Sequence, residues 1–433
     1  MFTLYRFIVA LLFYLSLPFL LLLVMITGKH RRGLPQRFGY YPVPVEKSSP
    51  GTTVWMHAAS VGEVRAAKPI IAELEKQLPD IRIILTTMTV HGRRIALSQL
   101  DASIPCYLAP LDVPFITARA IRRIQPDIYI CIETELWPVL LDSLARRKVK
   151  LYMVNGRISE KSHRKYQRMR WLVGRVLQRF DRMAVISARD RSRYISLGAD
   201  PRSISVEGNV KYDFFLPPDF NEVEKKYSEL LKITDEEVLV AGSTHTGEER
   251  LLLDLYSEFA KERSTLFIIA PRHVERIPEI EKELHSRNIK YQLFSSIKSR
   301  GELRGEHILL VDTLGELASI YSVAHFVFCG GSLVKKGGHN LMEAAVWNKA
   351  VFYGPHIDDF HDAADLLDAG SCGFMVPTIA ELNSRIRYYR NHLEDYQTAC
   401  LQAGRIARAQ QGSARRQVHF LLAGKAEKKH QHY

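Results

Sequence analysis

From Thr52 onward the chain alternates short β-rich runs with amphipathic stretches, and that alternation restricts the fold more than any other feature. The runs TTVWMHAA, IRIILTT, DIYICIE, VKLYMVN, RMAVIS and SISVEGN each suit one strand. Between them lie segments such as KPIIAELEKQL, whose apolar residues recur three and four apart, as on a helix with one buried face. Strands that alternate with helices are joined by crossovers, so the pattern predicts parallel sheets with helices on both faces. A Pro-rich polar stretch, FFLPPDFNE, breaks the pattern near 214–222. EVLVAGS, TLFIIAP, IKYQLF, HILLVD, HFVFCGG and AVFYG then resume it. The expected organisation is a hydrophobic segment at 1–30, two α/β domains at 31–214 and 215–424, and a charged tail at 425–433. A length of 433 residues agrees, being more than one core ordinarily organises.

Charge divides with the domains. Residues up to Asp213 hold 33 Lys and Arg against 17 Asp and Glu, and the remainder holds 27 against 30. A basic half beside a near-neutral half points to an anionic surface, either nucleic acid or phospholipid headgroups. Phe7 to Thr27 is free of charge and spans about 30 Å as a helix, one hydrocarbon core. Lys29, Arg31, Arg32 and Arg37 follow it against a lone Arg6 before, which predicts an uncleaved anchor with the body on the cytoplasmic side. Pro18 leaves a shallow interfacial helix as the other reading, and a cleaved secretory signal is the competitor. Five scattered cysteines without a C-x-x-C pair give no zinc or disulfide framework; Cys106, Cys131, Cys329 and Cys372 read as buried reduced thiols.

In open α/β sheets ligands bind beyond the carboxyl ends of the strands, and the unusual polar residues fall there in both halves. The first half offers His57-Ala-Ala-Ser60-Val-Gly62-Glu63, Glu133-Thr134-Glu135, Asn155-Gly156-Arg157 and Lys211. The second offers Gly242-Ser243-Thr244, Pro271-Arg272-His273, Asp312 to Glu316 and Gly330-Gly331-Ser332. Strand ends that face one another across two domains suit the joining of two substrates. Ser60 and Glu63 have capping-box spacing, so Glu63 reads either as a helix cap or as a general base. A helix N-terminus is expected to lower its pKa and keep it ionised. Alternation puts Glu133 and Glu135 on one side, one capping the helix that starts near Pro138 and the other facing the cleft. The segment Gly330 to Asn340, with a helix expected from Leu341 to Trp347, reads as backbone N–H groups offered to a phosphate, or as a flexible turn. It is neither a P-loop nor G-x-G-x-x-G. Arg157 to Arg182 is basic and interleaved with Tyr166, Trp171 and Phe180, which fits a face toward lipid phosphates, a nucleic-acid strip or a solvated helix pair. Histidines 57, 245, 273, 339, 356 and 361 lack metal-ligand spacing, and no metal is expected.

Eleven stretches, in order between about residues 33 and 370, carry a resemblance: WMHAASVGEV, LTTMTVHG, YLAPLDVP, IETELWP, VNGRIS, GNVKYD, AGSTHTGEE, APRHVER, DTLGELASIY, FCGGSLVKKGGHN and YGPH. Together they resemble the 3-deoxy-D-manno-octulosonic acid (Kdo) transferases of lipopolysaccharide synthesis. The resemblance implies a GT-B glycosyltransferase of two Rossmann-like domains with an interdomain cleft, inverting and metal-independent, without a cofactor. It implies CMP-Kdo as donor, a lipid A precursor (lipid IVA) as acceptor, and a place at the inner membrane. Carried over, Glu63 is the base, and Glu133 and Lys211 assist transition-state stabilisation. Pro271 and Arg272, Leu314, Gly315 and Glu316, and Asn340, Leu341, Met342 and Glu343 contact the CMP. Two positions depart from the family pattern. Asn340-Leu-Met-Glu343-Ala-Ala lacks the usual proline, and Asp359 stands where Asn is usual, placing a negative charge near the implied donor site. The competing functions are another GT-B transferase or sugar-nucleotide epimerase and, outside enzymes, a membrane-tethered nucleic-acid-binding protein. The leading reading expects membrane lipid and no nucleic acid as partner.

Overall fold

The computed structural model describes residues 2–28, 33–42, 51–213, 217 and 219–427. Lys29, Arg31, Arg32, most of the expected linker and the last six residues lie outside them. The chain forms two compact units, Met1–Asp213 with Gly412–Tyr433, and Phe214–Gln411.

In unit 1 the strands are β1 (Thr53–His57), β2 (Arg82–Thr87), β3 (Cys106–Leu108), β4 (Ile128–Ile132), β5 (Lys150–Gly156), β6 (Arg182–Val185) and β7 (Ile204–Val206). They pair in parallel in the order β3-β2-β1-β4-β5-β6-β7. β1 and β4 are buried at every residue, which is why their sequences run apolar rather than alternate. Trp55, Tyr129 and Met183 fill one face; Met56, Ile70, Ile130 and Val154 fill the other.

Unit 2 repeats the plan with β8 (Glu237–Thr244), β9 (Thr265–Pro271), β10 (Gln292–Leu293), β11 (Ile308–Leu310), β12 (Phe326–Cys329), β13 (Val351–Tyr353) and β14 (Gly373–Met375). The order is β10-β11-β9-β8-β12-β13-β14, again all parallel. The edge strands β3 and β14, three residues each, are the two that the alternation did not predict. The four thiols expected to be buried are buried and free.

The chain's end corrects the expected boundaries. The helix Ser413–Glu427 belongs to unit 1 rather than to the domain ending at 424. Val418 and Leu421 are buried in the core beside Ile71 and Leu74, and each fully buried aliphatic side chain is worth about 1.5–3 kcal/mol. Asp213, at the far end of unit 1, accepts from Ser413 N–H at 2.9 Å and Ala414 N–H at 2.6 Å and so caps the returning helix. Gln417 accepts from Asn155 N–H at 2.8 Å and donates to the Gly208 carbonyl at 2.7 Å.

The N-terminal helix Phe2–Thr27 is long and apolar enough to cross a membrane. It touches unit 1 through Arg6, which donates to buried Asp142 at 3.2 Å, and through Phe13, against Phe38 and Phe115. Its outer surface is exposed, with Phe7 at 64%, Phe19 at 72% and Ile26 at 74%. In the basic stretch, Phe180 is buried and Tyr166 packs on the core, whereas Trp171 is half exposed.

Candidate active site

The order of the first sheet reverses between β1 and β4, since β1 leads outward to β2 and β3 before the chain crosses to β4. That switch point is where such sheets bind ligands, and Glu63, Glu133 and Glu135 all follow β1 or β4. Ser60 caps the helix Val61–Gln77, accepting from Glu63 N–H. Glu63 reaches back in turn: Oε1 accepts from Ser60 Oγ at 2.8 Å and Oε2 from Ala59 N–H at 2.8 Å. The helix cap and the Glu63 carboxylate are therefore one unit, fixed by three hydrogen bonds and buried.

The expectation of a lowered pKa is overturned. Burial raises Glu63 to about 7; Glu133 and Glu135 add to the rise, outweighing the Ala59 N–H and Ser60 hydroxyl. A helix end contributes only fractions of a kcal/mol to about 1 kcal/mol when exposed, whereas burial penalises the whole charge.

Glu133 follows β4 directly, in the left-handed region at φ 58°. Its Oε1 accepts from Lys211 Nζ at 2.7 Å, and Arg157 Nε stands 3.9 Å from Oε2. Glu135 accepts from Trp137 Nε1 at 3.0 Å. Neither carboxylate caps the helix Pro138–Arg146, contrary to expectation. Asp112 does so, accepting from Val139 N–H at 3.1 Å and Leu140 N–H at 2.8 Å. Lys211 is aimed by a short chain of contacts. Gln417 holds Asn155, whose Oδ1 accepts from Val210 N–H at 3.0 Å, beside Lys211. The structure thus brings Glu63, Glu133 and Lys211 to one place.

Three neighbours, Arg157, Glu135 and His57, stood among the strand-end polar residues in the sequence without being given a catalytic role. Their position after strands was the available signal. His57 is buried, with Nδ1 3.1 Å from Thr86 Oγ1 and Nε2 3.9 Å from Glu135 Oε2. Burial and Arg37 push its pKa down to about 4, so it is neutral at pH 7.

In unit 2 the order reverses between β8 and β12. Pro271 ends β9 and is buried, and exposed Arg272 follows, its N–H donating to the Thr244 carbonyl at 3.0 Å. Leu314 is 77% exposed. Gly315 has φ 86°. Glu316 accepts from Lys298 Nζ at 2.5 Å and Tyr227 OH at 2.7 Å. Asn340 Oδ1 accepts from Met342 N–H at 3.1 Å while Nδ2 donates to Glu343 at 3.2 Å. Burial raises the Glu343 pKa against the opposing pull of Asn340 and Arg272. The side chains of Leu341 and Met342 are fully buried, so only their backbone can face a ligand.

Two expectations fail in the glycine-rich segment. The helix there is a single turn, Met342–Ala345, so it brings no extended dipole to an anion. The amides are also already taken. Glu248 accepts from Gly331, Ser332 and Leu333 N–H at 2.7, 3.0 and 3.0 Å, and from His245 N–H at 2.9 Å. An internal carboxylate occupies the nest formed by Gly331, Ser332 and Leu333, so those three amides are not offered to a phosphate and this part of the loop is held in place. Asp359 lies against this loop, its N–H donating to the Gly337 carbonyl at 2.9 Å. Among the described residues no group of three His, Cys, Asp or Glu side chains could hold a metal ion.

Comparison with known proteins adds the chemistry. HepE of Anabaena, solved in complex with UDP-glucose, shares the fold at a TM-score of 0.55 and 15% identity, over 86% of this chain and 99% of that one. Two all-parallel sheets of this order, with polar groups at both switch points, make this a protein of the GT-B fold. A family model described as 3-deoxy-D-manno-octulosonic-acid transferase matches residues 32–214. The 3-deoxy-D-manno-octulosonic acid transferase of Haemophilus influenzae is 32% identical over 361 residues, 82% of each chain. A bifunctional glycosyltransferase/methyltransferase of Fusobacterium nucleatum is 31% identical over 341 residues; this chain covers 78% of its own length and only 52% of that relative. The chain belongs to the Kdo transferase family.

Proposed function

We propose that the chain is a membrane-anchored, inverting, metal-independent transferase that moves Kdo from CMP-Kdo to a lipid A precursor, lipid IVA. The observation that carries this reading is the buried Glu63 carboxylate with its pKa near 7, held by Ser60 and Ala59. A general base works best with a pKa close to the working pH. Glu63 takes the proton of an acceptor hydroxyl as that oxygen attacks the anomeric carbon. The bond from that carbon to the phosphate oxygen breaks, and its electron pair stays on CMP. One base on the face opposite the leaving group suffices for inversion. Glu133, paired with Lys211, stabilises the charge that develops in the transition state, and the exposed Arg272 guanidinium meets the phosphate.

The bisphosphorylated acceptor suits the basic first half of the chain. Helix Phe2–Thr27, with Trp171 exposed among Lys165, Arg168 and Arg170, supports anchoring at the inner membrane with the body on the cytoplasmic face. The test is to supply CMP-Kdo and a tetraacylated, bisphosphorylated lipid A precursor, with and without EDTA, and to follow CMP release and the mass of the lipid. Absence of turnover refutes the reading, loss of activity in EDTA refutes metal independence, and full activity in Glu63→Ala refutes the base.

A further inference from the structure

Unit 2 holds a pair of imidazoles that the roles above leave unused. His245 follows β8 and His339 closes the glycine-rich segment after β12, so both stand at that unit's switch point. Their Nε2 atoms are 2.9 Å apart and their planes differ by 4°. Nitrogens at that distance share a hydrogen bond, one ring presenting N–H and the other a lone pair. Gly331 permits the approach, since a Cβ there would stand 3.0 Å from His339 Cδ2 and 3.2 Å from His245 Cδ2. Arg272, Arg276, Lys336, His273, Glu248 and Glu249 face the pair. Glu248 is saturated by its four amides, and Arg276 binds Glu249 at 2.7 and 3.2 Å. The uncompensated field is therefore positive. Burial and that field hold both imidazoles low, His339 at about 4, so the pair is neutral at pH 7.

We propose that the His245–His339 pair is the proton-linked partner of the donor's phosphate, neutral in the free protein and singly protonated when a nucleoside monophosphate is bound. The inference rests on the donor reading given above. Transfer converts a phosphodiester with one negative charge into CMP with two. The second charge beside a neutral, hydrogen-bonded pair raises that pair's proton affinity. A proton drawn from solvent makes an imidazolium next to the leaving group, adding to the positive charge that Arg272 and Lys336 already bring. The pair is thereby a positioned source of compensating charge for CMP departure.

Calorimetry of the full chain in detergent, titrated with CMP at pH 7.5 in buffers of different ionisation enthalpy, reads the proton directly. Uptake of about one proton per CMP is expected, with Kd weakening about tenfold per pH unit above neutrality, and no uptake with cytidine. In the double variant His245→Asn/His339→Asn, uptake should vanish while cytidine affinity is unchanged. Uptake retained in that variant, or cytidine affinity lost with it, overturns the inference. So does CMP binding to the wild type without uptake, which leaves the donor reading standing. A wild type that binds no CMP overturns both.

Discussion

Glu63→Gln should make the protein more stable and less active, with the gain depending on pH. The ordinary pKa of a glutamate is 4.5 and the folded environment raises Glu63 to about 7. A raised carboxylate pKa means that the folded state prefers the protonated form. The group's contribution is fully favourable below 4.5 and is lost as pH rises through 7. Each pKa unit is worth about 1.36 kcal/mol, so placing Glu63 in the fold costs about 3 kcal/mol at pH 8.5, where it is ionised, and about 1 kcal/mol at pH 5, where it stays protonated while the unfolded chain ionises. Glutamine never ionises. Its oxygen can accept from Ala59 N–H and its amide can donate to Ser60 Oγ, so the cap survives. Urea unfolding in detergent at the two pH values should show the Glu63→Gln protein gaining little at pH 5 and up to about 3 kcal/mol at pH 8.5. Turnover should fall by about 10²–10⁴, as expected for loss of a general base. Equal destabilisation at both pH values would refute the burial argument, and unchanged turnover would refute the role.

The same residue governs the pH profile of the wild type: log kcat/KM should climb with unit slope to a plateau above about 7. Glu135→Gln removes a like charge and should move that midpoint to lower pH; an unmoved midpoint would separate Glu135 from the base. Leu421→Ala should destabilise unit 1 by about 2–5 kcal/mol and Asp213→Ala by about 1–2 kcal/mol, read by denaturant unfolding; hydrogen exchange in unit 2 should not change. Glu248→Ala strips the partner from four amides, and the lost charged hydrogen bonds should cost about 3 kcal/mol or more in a thermal or denaturant melt.

What could be read from sequence was whatever a few neighbouring residues decide. Continuous apolar runs give buried parallel strands, and the residue after such a run lies at the ligand-binding edge, so Glu63, Glu133 and Lys211 could be singled out. Ser60 and Glu63 announce their cap because both partners lie within one turn. What failed depends on distant partners. The Glu63 pKa is set by burial and by carboxylates some 70 residues away. The amides of Gly331 to Leu333 suit an anion, but which anion is decided by Glu248, 83 to 85 positions earlier. The edge strands β3 and β14 are too short for a period to register. Asp112 displaces both glutamates as the cap of helix Pro138–Arg146 from across a connection.

The returning helix Ser413–Glu427 also sets the timing of synthesis. Unit 2 is a continuous segment, Phe214–Gln411, inserted into unit 1. The second domain can therefore close as it leaves the ribosome, while the first must wait for a helix made after all of it. At about 5–20 residues per second the wait is on the order of 10–40 s. During that time the groove that Val418 and Leu421 will fill stays open, and Asn155, which positions Lys211 for its place in the site, lacks Gln417. The half that carries Glu63, Glu133 and Lys211, though first in sequence, is completed last.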